Sequence, residues 1–139
     1  MDKQRLMGYQ KLKREQGLLL RRIMALQEKE IPVVAGKVKA SSRDFPYTEH
    51  RISVQMYDPV EADRIGRMLR IYRGRQERVG RQMLEVEGFI NGIGDPEVRQ
   101  IFEMRFIEGR KLREIAGEVN LDRSSIGKKI NRYLQIMQC

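Results

Sequence analysis

At 139 residues the chain has room for one domain or two small ones. Its 40% hydrophobic and 34% charged residues, with four prolines and no tryptophan, lead us to expect a mainly α-helical protein with a modest core and a heavily charged surface. A formal charge of +9 points to a polyanionic partner, nucleic acid ahead of an anionic membrane surface, and the single cysteine excludes an intramolecular disulfide.

In chain order, the first pattern is helical and covers about residues 3–30. Leu12, Leu19 and Leu26 recur every seven residues, and Tyr9, Gln16 and Ile23 form the interleaved row, a coiled-coil-like seam with one polar member. A second long helical pattern covers about residues 59–90 and opens on Pro59, which suits a first turn. Its rows are Ile65, Tyr72, Val79, Val86 and Leu69, Gln76, Met83, Ile90, again with one glutamine. The two helices are expected to form a long antiparallel hairpin with Ile23 near Leu69 and Tyr9 near Met83. A Gln16–Gln76 pair would then set the register.

The intervening residues 31–58 have no helical pattern. They hold Pro32-Val33-Val34, a turn-rich "SSRDFPYTEH" and the alternation Ile52, Val54, Met56, and are expected to form a small irregular or β-hairpin insertion. Lys37, Lys39, Arg43 and Arg51, with Phe45 and Tyr47, make this insertion a secondary candidate for contact with nucleic acid or another chain. The chain is thus expected to divide into a long-helix hairpin over residues 1–92, for oligomerisation or positioning, and a second domain over 95–139. The break falls at Asn91-Gly92-Ile93-Gly94, where two glycines occur in four residues.

Three short helices are predicted in the second domain. The first, about residues 96–107, starts at the cap Asp95 with Pro96 at its first position and stops at Gly109. The second, about 111–118, presents Leu112, Ile115, Ala116 and Val119 on one face. The third, about 123–136, turns Ile126, Ile130, Tyr133, Leu134 and Met137 inward. Only Val119-Asn120-Leu121-Asp122 joins the last two, so they must cross steeply at close range. Close approach explains the small Ala116, and a left-handed turn residue explains Asn120. Leu121 is expected to plug the core and Asp122 to cap the third helix.

This corner turns the other side of the third helix outward. Arg123, Ser124, Ser125, Lys128, Lys129 and Arg132 stand there with no acid among them. Such a face suits the DNA major groove, its N-terminal half reading base edges and its cations binding phosphate, with Arg113 on the second helix as a further phosphate contact.

The stretch "FEMRFIEGRKLREIAGEVNLDRSSIGKKINRYL" resembles the helix-turn-helix of sigma-70 region 4. The resemblance lies in Met104-Arg105-Phe106, Gly109, Glu114-Ile115-Ala116, Leu121, Ser124-Ser125 and Ile126, and covers about the last 45 residues. Asn120 stands where that family usually has a turn glycine. No upstream segment resembles the sigma region that melts promoter DNA. The whole layout is also similar to small phage and mobile-element transcription regulators of the ArpU and RinA late-gene activator type. These resemblances imply promoter-linked binding of double-stranded DNA, with RNA polymerase as a second partner and homo-oligomers built through the long helices.

Two other functions fit the same sequence: a phage small terminase subunit, distinguished by a ring of many subunits in solution, and a protein–protein adaptor docking on RNA polymerase. No enzyme, cofactor or metal is expected. One histidine, His50, and one cysteine, Cys139, cannot make a zinc site, and no glycine-rich loop precedes a Lys-Ser or Lys-Thr pair. Apolar runs such as Leu18–Leu20 are far short of a membrane span, and MDKQRLMGYQ lacks the apolar core of a signal peptide. The expectation is a soluble protein of the cytoplasm, bacterial or phage-infected, with no membrane partner.

Overall fold

A computed structural model of the chain describes residues 1–40 and 58–138. The described residues are mainly helical and contain no strand. The helices are α1 (Lys3–Met7), α2 (Tyr9–Ala40), α3 (Pro59–Asn91), α4 (Pro96–Phe102), α5 (Leu112–Val119) and α6 (Arg123–Gln138), with a π-helical turn, Glu103–Ile107, extending α4.

The expected insertion at 31–58 is corrected in its first third. α2 does not stop at Ile31 but runs through Pro32 to Ala40. Interior proline removes one i→i−4 hydrogen bond and crowds the carbonyl one turn back, at about 3 kcal/mol, so α2 continues through Pro32 at a cost. The remainder of the insertion, including the alternation at Ile52, Val54 and Met56, lies outside the described residues, as does His50.

The chain forms two compact units. One joins Met1–Gln16 to Arg78–Cys139; the other comprises Gly17–Glu77. In the second unit Ile23 of α2 packs with Ile65 and Leu69 of α3, flanked by Leu26 and Tyr72. The Arg22 guanidinium lies 5.9 Å from the Tyr72 ring centroid, within cation–π range. Both bonds from Arg64 hold Glu61 below the usual carboxylate range. Ile23 and Leu69 thus share one small core cluster.

In the first unit one core gathers residues from both ends of the sequence. Leu6, Tyr9, Val86, Ile90 and Ile93 share it with Val98, Ile101, Phe102, Phe106, Ile115, Ile126, Ile130 and Leu134. The expected boundary at Asn91–Gly94 thus falls inside a core: Ile93 is almost wholly buried there, and its carbonyl accepts from Arg99 Nη1 at 2.8 Å. Phe102 lies at the centre, with ring centroids 5.3 Å from Phe106, 5.5 Å from Tyr133 and 6.4 Å from Phe89. These separations fit tilted and edge-on aromatic packing.

The N-terminal arm is pinned to this core along its length. Asp2 caps α1 by accepting from the Arg5 amide at 2.8 Å, Arg5 pairs with Glu85, and the Tyr9 hydroxyl donates to Glu87. Burial, reinforced by Glu87, pushes the Tyr9 phenol up to about 12, so it remains a donor throughout the ordinary pH range. Gln10 Nε2 donates to the carbonyls of Phe106 and Ile107, at 2.9 and 2.7 Å, satisfying acceptors that the end of a helix leaves open. Gln16, the polar member of the α2 seam, has a buried carboxamide oxygen that receives no hydrogen bond among the described residues.

Candidate nucleic-acid interface

The approach to α5 is built from local capping chemistry. Asp95 Oδ1 accepts from the amides of Glu97 and Val98 at 2.9 and 3.4 Å, with Pro96 at the first helical position. The π turn closes with the Glu108 amide on the Glu103 carbonyl, and the chain leaves through Gly109 at φ +72°. Arg105 Nη1 donates to the Arg110 carbonyl at 3.0 Å, and Arg110 pairs with Glu118, so both cations serve the turn and its flank. The Lys111 amide donates to the Glu114 carboxylate at 3.2 Å, fixing the first turn of α5.

At the corner, Asn120 has φ 59° and ψ 44°, the one non-glycine residue at positive φ among those described. The Leu121 amide returns to the Ala116 carbonyl at 3.1 Å. Asp122 opens α6 through its own carbonyl, which accepts from the Ile126 amide. Its carboxylate makes no hydrogen bond among the described residues, so the expected side-chain cap is not the means by which α6 begins. Because only glycine adopts this left-handed conformation freely, Asn120→Ala should cost about 1 kcal/mol and Asn120→Gly should cost nothing or stabilise slightly. Urea denaturation of the two variants checks this, and an alanine variant as stable as the parent would contradict the turn.

Two rows of α6 have opposite surroundings. Ile126, Ile130 and Leu134 are buried against the first unit's core, with Tyr133 half-buried beside them. Met137, expected on that row, is 54% exposed because α6 outruns its core. On the other side Ser124, Lys128 and Arg132 are exposed and Ser125 is half-buried, while Arg123 is exposed at the first turn, two turns before Ile130 on the same row; among the described residues none of them has a hydrogen-bond or ion-pair partner. The same holds for exposed Arg113 on α5. A methyl group added at Gly127 would meet no atom within 4 Å, so that flank is open as well.

Two contacts bound this open face. Lys129 Nζ lies 3.1 Å from Glu97 Oε1, which draws its charge toward α4 on one flank. Lys3 Nζ donates to Asn131 Oδ1 at 3.2 Å, bringing the N-terminal arm to the other. Nothing in a heptad pattern brings residue 3 to residue 131, so Lys3 is not apparent from the sequence as part of this face. Among the described residues no group of three His, Cys, Asp or Glu side chains could hold a metal ion, and no helix is long and apolar enough to cross a membrane.

An exposed helix face of cations and hydroxyls, without acids, can neutralise phosphates and offer hydrogen bonds to base edges. Comparison of the chain with protein-family models, curated proteins and solved structures finds no match to any of them.

Proposed function

We propose that the chain is a sequence-specific double-stranded DNA-binding protein acting as a transcription regulator. In this reading α4, α5 and α6 form a helix-turn-helix of the sigma-70 region 4 type. α6 lies in the major groove, Arg123, Ser124 and Ser125 face bases, and Lys128, Arg132 and Arg113 hold phosphate. Lys129 stays at the rim, shared with Glu97. The Gly17–Ala40 and Pro59–Glu77 segments form an antiparallel hairpin that positions or oligomerises the reader, and paired half-sites would add affinity to a weak single contact. The sequence resemblance to late-gene activators supports reading promoters as its target and RNA polymerase as a second partner.

One observation carries the proposal: α6 buries Ile126, Ile130 and Leu134 and leaves Ser124, Lys128 and Arg132 on the opposite row exposed and, among the described residues, without hydrogen-bond or ion-pair partners. In a merely solvated helix, acids would be expected to balance such a row, and α6 contains none.

Selection of duplexes from a random pool by the full chain should enrich one recurring motif. Binding to that motif should weaken with salt at a log–log slope of roughly −0.9 per phosphate neutralised. Arg123→Ala should lose about 1–3 kcal/mol at one base position while leaving the others unchanged. Uniform weakening on every sequence would make Arg123 a phosphate contact only. Failure of the parent chain to bind any duplex at micromolar concentration would defeat the DNA reading itself.

A further inference from the structure

We propose that the N-terminal arm is part of the same interface, with Lys3 a phosphate contact held beside α6 by the fold. This rests on the DNA reading above and extends it to a residue far from the corner in sequence. Lys3 Nζ is bound to Asn131 Oδ1, a neutral amide, so the hydrogen bond places the ammonium without cancelling its charge. Among the described residues Lys3 has no acidic partner. The carboxylate of the adjacent Asp2 is turned to its own helix, accepting from the Arg5 amide.

Asn131 lies between the exposed row of α6 and its buried row. It is three residues from exposed Lys128, a neighbour on the helix surface, so Lys3 adds a cation at the edge of the face to which Lys128 belongs. A duplex seated on that face carries a phosphate backbone along each edge of its groove, and a cation at the rim suits backbone rather than base.

The arm is also fixed well enough to act. Lysine loses considerable side-chain freedom when it holds one geometry. Here the backbone that bears Lys3 is immobilised by Leu6, which is fully buried, by Arg5 on Glu85 and by Tyr9 on Glu87. The ordering is thus provided by folding rather than by binding, which favours a pre-placed contact over a tail that must be captured.

The test uses the full chain and two duplexes, the motif enriched by the parent and a scrambled sequence, titrated between about 50 and 200 mM salt. Lys3→Ala should weaken binding to both duplexes by the same factor, about threefold to tenfold, and reduce the salt slope by roughly one. Lys3→Arg should restore the slope. Asn131→Ala, which removes the tether but no charge, should keep it. If Lys3→Ala leaves the slope unchanged, or if it matches Asn131→Ala in every readout, Lys3 is a structural tether and the proposal is overturned. Because Lys3 is exposed, the melting temperature of each variant should match the parent. If the parent binds neither duplex, the DNA reading falls and takes this inference with it, an outcome distinct from a parent that binds and a Lys3 variant that binds equally well.

Discussion

Phe102→Ala should destabilise the first unit by about 3–5 kcal/mol, the range for removing a fully buried aromatic side chain from a packed core. Phe102 joins three elements at once, through Phe106 in the π turn, Tyr133 on α6 and Phe89 on α3, and an alanine cannot reach any of these rings. The surroundings come from different helices, so they cannot collapse onto the gap without moving α6. Urea denaturation followed by circular dichroism reads the loss as a lower midpoint. Ile71→Ala is the internal control: Ile71 is 54% exposed and should cost about 0.5 kcal/mol or less. A cost below about 1 kcal/mol at Phe102 would mean that the aromatic cluster is not part of the cooperative core. Binding to DNA should disappear with folding and not before it, since Phe102 has no access to a ligand.

Local chemistry was legible in the sequence wherever one residue type has few alternatives. Asp95-Pro96 reads as a helix start because a carboxylate caps and proline fits the first turn, and both are seen in place. Gly109 and Asn120 read as turn residues because positive φ excludes most side chains, and both adopt it. The alternation of Ile126, Ile130 and Leu134 with Ser124, Lys128 and Arg132 separates buried from exposed sides of α6. Long-range placement was not legible. A heptad row shows that a helix buries a stripe but not what covers it, so the sharing of one core by Leu6 and Tyr9 with Ile115 and Ile126 could not be foreseen. The same gap hid Lys3 from the list of interface residues. Beyond Ile31 the sequence misleads because Pro32 and the β-branched Val33-Val34 are poor helix formers, yet α2 continues through them to Ala40.

Gly109→Ala should cost roughly 2–5 kcal/mol, more than a turn glycine alone explains, because two penalties meet at this residue. The first is conformational: φ +72° places any β-carbon against its own backbone, at about 1–2 kcal/mol. The second comes from the N-terminal arm. A β-carbon at Gly109 would sit 2.9 Å from Gln10 Cδ and 3.1 Å from its Oε1, so Gln10 must shift. That shift withdraws the Nε2 donor from the carbonyls of Phe106 and Ile107, and acceptors left unpaired in a partly buried setting cost about 1–3 kcal/mol. A double-mutant cycle separates the two penalties. In a Gln10→Ala background the obstacle and the hydrogen bonds are already gone, so Gly109→Ala should cost only its conformational share. The double variant should therefore be about 1–3 kcal/mol more stable than the sum of the single losses predicts. Strict additivity would show that Gln10 does not rest on the turn in solution, which would leave Leu6, Arg5 and Tyr9 as the contacts that hold the arm.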